Sequence, residues 1–135
     1  MNKLSALFSV LFIAFLLCGC TETIQNQPKQ ITEETVSFTI KYFDKDNAII
    51  LDKTIEIEKG TNAFEAMKEN VTVEYEMYSL DAFVKSIAGI TPPENYYLGL
   101  YVNGEYANKS ISGYMIDANT IIEWKTEKIE DFGMQ

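Results

Sequence analysis

The sequence contains no arginine and no histidine; all eleven of its basic residues are lysine. Without histidine there is no histidine-based catalytic triad and no imidazole metal ligand. Without arginine there is no planar fork to clamp a phosphate or carboxylate through two parallel hydrogen bonds. Cysteine is confined to Cys18 and Cys20, at the end of the first apolar run. Neither a disulfide nor a thiolate metal site is therefore expected in the region from Thr21 onward. Long hydrophobic runs are also scarce. Leu4–Leu17 spans 14 residues, fewer than the ~20 that a transmembrane helix needs. The net charge of −9 argues against a nucleic-acid partner. A chain of 135 residues has room for one domain.

The apolar run follows Met1–Lys3, which carries one positive charge, and so has the flanks of a secretory signal peptide. Leu17-Cys18-Gly19-Cys20 resembles a prokaryotic lipobox. That resemblance implies a signal peptide over residues 1–19, cleavage before Cys20 and a diacylglyceryl (palmitate-type) lipid on its thiol. The protein is then expected on the extracytoplasmic face of the cell membrane, bacterial or archaeal. Two acyl chains anchor far better than one, at about 0.8 kcal/mol per buried CH₂. Residues 20–34, rich in Gln, Thr and Glu, read as the lipidated cysteine and a flexible tether. The mature chain would keep ten lysines against twenty acids, which favours a soluble monomer.

From Thr35 the pattern changes. Val36, Phe38, Ile40 and Tyr42 alternate with polar residues, the signature of a strand with one buried face. Asp44-Lys45-Asp46-Asn47 is turn chemistry; it lacks the Gly and Glu of a calcium loop. Ile49–Glu58 gives a second strand. Asn62 followed by Glu65 resembles a capping box ahead of a short helix over 63–69. Further strands are expected over 71–77, 83–90 and 96–102, with shorter extended pieces at 111–116 and 120–126. Asn103-Gly104 is a strong hairpin signal, because both residues tolerate positive φ. The expected fold is α+β: one short helix packed on a mixed, mostly antiparallel sheet. The domain is expected over residues 35–126, with 127–135 a loosely ordered tail.

Three segments carry a family resemblance: KGTNAFEAM from Lys59, FVKSIAG from Phe83, and YLGLYVNGEYA from Tyr97 together with IIEW from Ile121. They resemble the transcobalamin-like C-terminal domain, a family of largely unknown function found in prokaryotic surface proteins. The resemblance implies a β-grasp-like fold and a corrinoid, or cobalamin-like, ligand. In the eukaryotic transporters this domain covers one face of the ligand and a separate helical domain covers the other. This chain would supply half of such a site.

No catalytic constellation is visible, so the protein is expected not to be an enzyme. Glu56, Glu58, Glu74 and Glu76 lie on the polar parity of their strands and read as a solvated surface. Ser110 and Ser112 have no base beside them in the sequence. No spacing supports an all-oxygen metal site. Asn70 and Asn108 begin N-x-[ST] sequons, meaningful only in a host that glycosylates exported proteins. The aromatic residues are more informative. Tyr97, Tyr101, Tyr106 and Trp124 are candidate ligand-binding residues, with Asn103 and Gly104 forming the turn among them. Tyr97 and Tyr101 share a strand face opposite Leu98, Leu100 and Val102. The functional expectation is a lipid-anchored, non-catalytic ligand-binding or accessory module, without a catalytic cofactor and with an envelope protein as a possible partner. The alternative is a structural, adhesion or docking module of the cell envelope without a small-molecule ligand.

Overall fold

Alternation of large apolar and polar residues builds the sheet. A computed structural model describes residues 32–130, which fall in one compact unit. The lipobox, Cys20 and nearly all of the tether lie outside the described residues, as do residues 131–135. Strand β1 (Thr35–Phe43) buries Val36, Phe38, Ile40 and Tyr42. Asp44 then accepts backbone hydrogen bonds from Asp46 (2.9 Å) and Ala48 (2.8 Å) through Oδ1, closing the turn. Strand β2 (Ile49–Glu58) returns antiparallel along β1.

Strand β3 (Thr61–Asn62) leads directly into helix α1 (Ala63–Asn70). Asn62 caps the helix: its Oδ1 accepts from the Phe64 and Glu65 amides at 3.0 and 3.3 Å. Ala63, Phe64, Ala66 and Met67 form the buried helical face. Strands β4 (Val73–Tyr78) and β5 (Asp81–Ile87) form a separate hairpin. Strand β6 (Tyr96–Val102) turns through Asn103-Gly104 into β7 (Glu105–Tyr106). A 3-10 turn (Ile111–Gly113) precedes β8 (Met115–Ile116), which pairs with β3. Strand β9 (Thr120–Lys128) closes the domain.

The main sheet has the order β2-β1-β9-β6-β7. The β1–β9 pair is parallel and the others are antiparallel. Among the described residues the architecture is therefore α+β, with one short helix and a mixed, open sheet. Phe38, Ile40, Leu100, Ile122 and Trp124 from the sheet join Phe64 and Met67 from α1 and Val84 and Ile87 from the β4–β5 hairpin in a single core. Full burial of each such side chain stabilises the fold by about 1.5–3 kcal/mol. Among the described residues, none packs over the opposite face of the sheet in this way. Among the described residues no helix is long and apolar enough to cross a membrane.

Four boundaries differ from the sequence expectation. The strand expected over 83–90 spans Asp81–Ile87, because Ala88 and Gly89 take φ values of 52° and 77° and the Ile90 amide folds back to the Ile87 carbonyl at 3.0 Å. Val71 caps the helix, its amide donating to the Met67 carbonyl at 2.8 Å, so the next strand starts at Val73. Residues 111–116 are not one extended piece. Ser112 Oγ accepts from the Ala82 amide (3.0 Å) and donates to the Leu80 carbonyl (2.9 Å), holding this segment in a tight turn against the β4–β5 hairpin. The last strand passes Thr126 and runs to Lys128, because β6 supplies pairing partners for Glu127 and Lys128.

Candidate functional site

The pleat of β6 sends Leu98 and Leu100 to the core side and Tyr97 and Tyr101 to the open side. Antiparallel register sets Tyr97 opposite Glu127, Gly99 opposite Lys125 and Tyr101 opposite Glu123 on β9. On its other flank Tyr101 pairs with Tyr106 of β7. The turn between them has φ 49° at Asn103 and 85° at Gly104, left-handed values that suit a tight type I′ connection. Asn103 Oδ1 also accepts from the Ile121 amide at 2.9 Å, tying the turn to β9. Tyr97, Tyr101 and Tyr106 are thereby placed side by side by two short-range devices, pleat and turn.

One carboxylate organises them. Tyr101 donates to Glu127 Oε1 at 2.5 Å, and Tyr97 donates to Glu127 Oε2 at 2.8 Å. The space for this carboxylate exists because residue 99 is glycine. A Cβ there would stand 2.5 Å from Glu127 Oε2. Donation to Glu127, followed by desolvation, raises the Tyr101 phenol to about 12 and pushes Tyr97 up in the same way. Both phenols thus hold their protons firmly at neutral pH and serve as donors, not nucleophiles. The Tyr101 and Tyr106 rings meet edge to face, with centroids 5.3 Å apart and planes at 90°. The Lys125 ammonium lies 4.3 Å from the Tyr101 ring centroid.

The three tyrosines and Glu127 line an open cleft of about 690 Å³, whose far wall is Lys128, Ile129 and Glu130. This volume is in the range of small-molecule sites. Trp124 does not belong to this surface. It has the parity of Ile122, lies 4% exposed in the core, and faces away from the tyrosines. On that side it borders a smaller hollow of about 170 Å³ with Leu98, Leu100 and Ile111; Tyr106 borders both spaces. Glu127 and Gly99 are the residues that sequence reasoning missed. The signal available was alternation: Glu123, Lys125 and Glu127 continue one parity of β9 past Thr126.

The other candidates are structural in their contacts. Glu76 accepts from Lys85 and Tyr78 at 2.6 and 2.7 Å, and Glu74 accepts from Ser86 at 2.9 Å. Ser110 donates to Asp81 at 2.8 Å beside the β4–β5 turn. Asn70 donates to the Ala66 carbonyl at 2.9 Å within the helix end. Among the described residues no group of three or more His, Cys, Asp or Glu side chains is placed to hold a metal ion.

The family described as a domain of unknown function (DUF4430) matches residues 60–128. That span runs from the turn before the helix to the last residue of β9. No curated protein matches the sequence. Among solved structures, the chain is similar to a candidate metal-binding protein from Ruminococcus gnavus. They share 15% identity with a TM-score of 0.57, over 69% of this chain and 97% of that one. It is also similar to haptocorrin in complex with Cbi, at 16% identity and a TM-score of 0.59. That match covers 73% of this chain and only 26% of haptocorrin.

Proposed function

Because the chain belongs to the DUF4430 family of domains of unknown function, its role has to be argued from its own surface, and we propose that it is a non-catalytic ligand-binding module. The tyrosine cleft on the open sheet face carries this reading. Three phenol rings are held in place before any ligand arrives, two of them by one carboxylate. Such rings offer large contact area at low entropic cost. A corrinoid is the ligand class to test first, supported by the fold shared with a haptocorrin and by the segments that resemble the transcobalamin-like domain. The β-grasp-like assignment is supported by the parallel β1–β9 pair at the sheet centre. The lipobox at Leu17–Cys20 supports a lipid anchor on Cys20 and a place on the extracytoplasmic membrane face.

The test uses the full chain purified in a maltoside detergent and mixed with cobalamin on a sizing column. Co-elution of the corrinoid's visible absorbance with the protein is expected, and its loss in Tyr97→Ala and Tyr106→Ala. A folded chain that leaves the absorbance in the small-molecule fraction excludes stand-alone corrinoid capture.

Docking to an envelope protein is the second reading. It is favoured by the tip of the β4–β5 hairpin, where Tyr78 is 61% and Leu80 84% exposed beside Phe83. A polar Leu80→Ser variant that abolishes capture of an envelope protein, while leaving the cleft intact, supports that reading.

A further inference from the structure

The electrostatics of the cleft select a kind of ligand. Tyrosine rings present a negative π face, which attracts cations lying within about 6 Å of the centroid. Here Tyr101 and Tyr106 stand perpendicular to one another, so they form two walls of a corner and not a flat stack. Glu127 lines the same cleft, with both oxygens engaged by phenol donors from Tyr101 and Tyr97. Phenol donation orients a carboxylate without removing its charge. Glu130 lines the same cleft, and Glu123 lies opposite Tyr101. Lys128 is the one basic residue among the residues lining the cleft. Lys125 shows what these rings accept: it lies outside the cleft lining, with its ammonium over Tyr101.

We propose that the Tyr97–Tyr101–Tyr106–Glu127 corner is a binding site for an organic cation, of the alkylated or quaternary ammonium class. The aromatic walls take the methyl groups and the carboxylate takes the charge. An anion would meet Glu127 and Glu130, and a neutral apolar group would leave the Glu127 charge without a counterpart. The proposal rests on the cleft being a ligand site but not on that ligand being a corrinoid.

The probe is choline chloride, titrated into the full chain in maltoside micelles, with broadening of the trimethylammonium proton signal as the readout. Its uncharged isostere, 3,3-dimethylbutan-1-ol, serves as the matched comparison. Choline is expected to bind and the isostere to bind about tenfold more weakly. Glu127→Gln removes the charge, keeps one acceptor oxygen for one phenol and sets its amide N–H against the oxygen of the other, and is expected to bring choline down to the level of the isostere. Tyr106→Ala, which removes a wall, is expected to weaken both probes. Emission from Trp124, the only tryptophan, reports that each variant is folded. Equal binding of choline and isostere overturns charge selection and leaves the cleft a ligand site. No choline binding alongside cobalamin capture overturns only the cation proposal. Failure of choline, isostere and cobalamin together removes both readings.

Discussion

Gly99 and Glu127 occupy one volume in turn: the space that a side chain at residue 99 would fill is where the Glu127 carboxylate lies. A Cβ on Gly99 would come within 2.5 Å of Oε2. The missing side chain therefore fixes how two tyrosines on either side of it are held. In Gly99→Ala the obstructing atom is the far end of a flexible side chain, so Glu127 swings out while the backbone stays. Thermal stability is expected to change by less than about 1 kcal/mol. Phenol titration followed by ultraviolet absorbance is expected to show Tyr101 falling from about 12 toward its ordinary value. An unchanged titration means that Glu127 keeps its bonds without the glycine.

The same two phenols set a limit on stability at high pH. Tyr97 and Tyr101 are raised in the folded state by donation to Glu127, whereas in the unfolded chain they titrate near 10. A raised folded value means that the native state holds the proton more tightly. Their contribution is complete below pH about 10 and is lost as the pH climbs through the folded values, with Tyr101 at about 12. Urea midpoints measured between pH 9 and 12 are expected to fall across this window. In Glu127→Gln the fall is expected to be smaller.

Tyr42 and Thr126 share a buried hydrogen bond of 3.0 Å between β1 and β9. Removing either hydroxyl alone strands the other in the core. Tyr42→Phe and Thr126→Val are each expected to cost about 1–2 kcal/mol. The double variant is expected to cost less than the two together, because no donor is left unpaired. Chemical denaturation of all four proteins gives the coupling, and strict additivity would show that the bond is not shared.

Asn62 serves two structures at once. It caps α1 through Oδ1 and donates from Nδ2 to the Ser112 carbonyl at 2.8 Å. Asn62→Ala is expected to lose about 1–2 kcal/mol for the cap, with a further loss from the freed carbonyl. Asn62→Asp restores the cap alone and is expected to recover only part. Full recovery by Asp would show that the contact with Ser112 carries no weight.

Much of this fold was legible because its signals are local. The alternation in Val36–Tyr42, the cap at Asn62 and the Asn103-Gly104 turn each act within a few residues, and each element forms where those signals place it. The pairing of β6 with β9 is a long-range relationship, so Glu127 had no local mark of its role. Its Lys- and Glu-rich surroundings look like a tail until Tyr97 and Tyr101 are set against them. Trp124 is the converse case. Its chemistry suggests a binding aromatic, but parity with Ile122 commits it to the core. The 3-10 turn at Ile111–Gly113 was hidden because its cause is a hydroxyl, Ser112, acting on a hairpin distant in sequence.

The parallel contact of β1 with β9, from Phe38↔Thr120 to Phe43↔Lys125, also governs when the molecule can exist. The first strand to be synthesised waits for the last one, and the central pair cannot close until some eighty intervening residues have emerged. Such non-local closure is intrinsically slow. Until then the edges of β1 and β6 that face β9 are both bare, so a nascent or truncated chain exposes two pairing edges that the finished sheet fills. Loss of a few residues from β9 would therefore not trim the domain; it would unmake it.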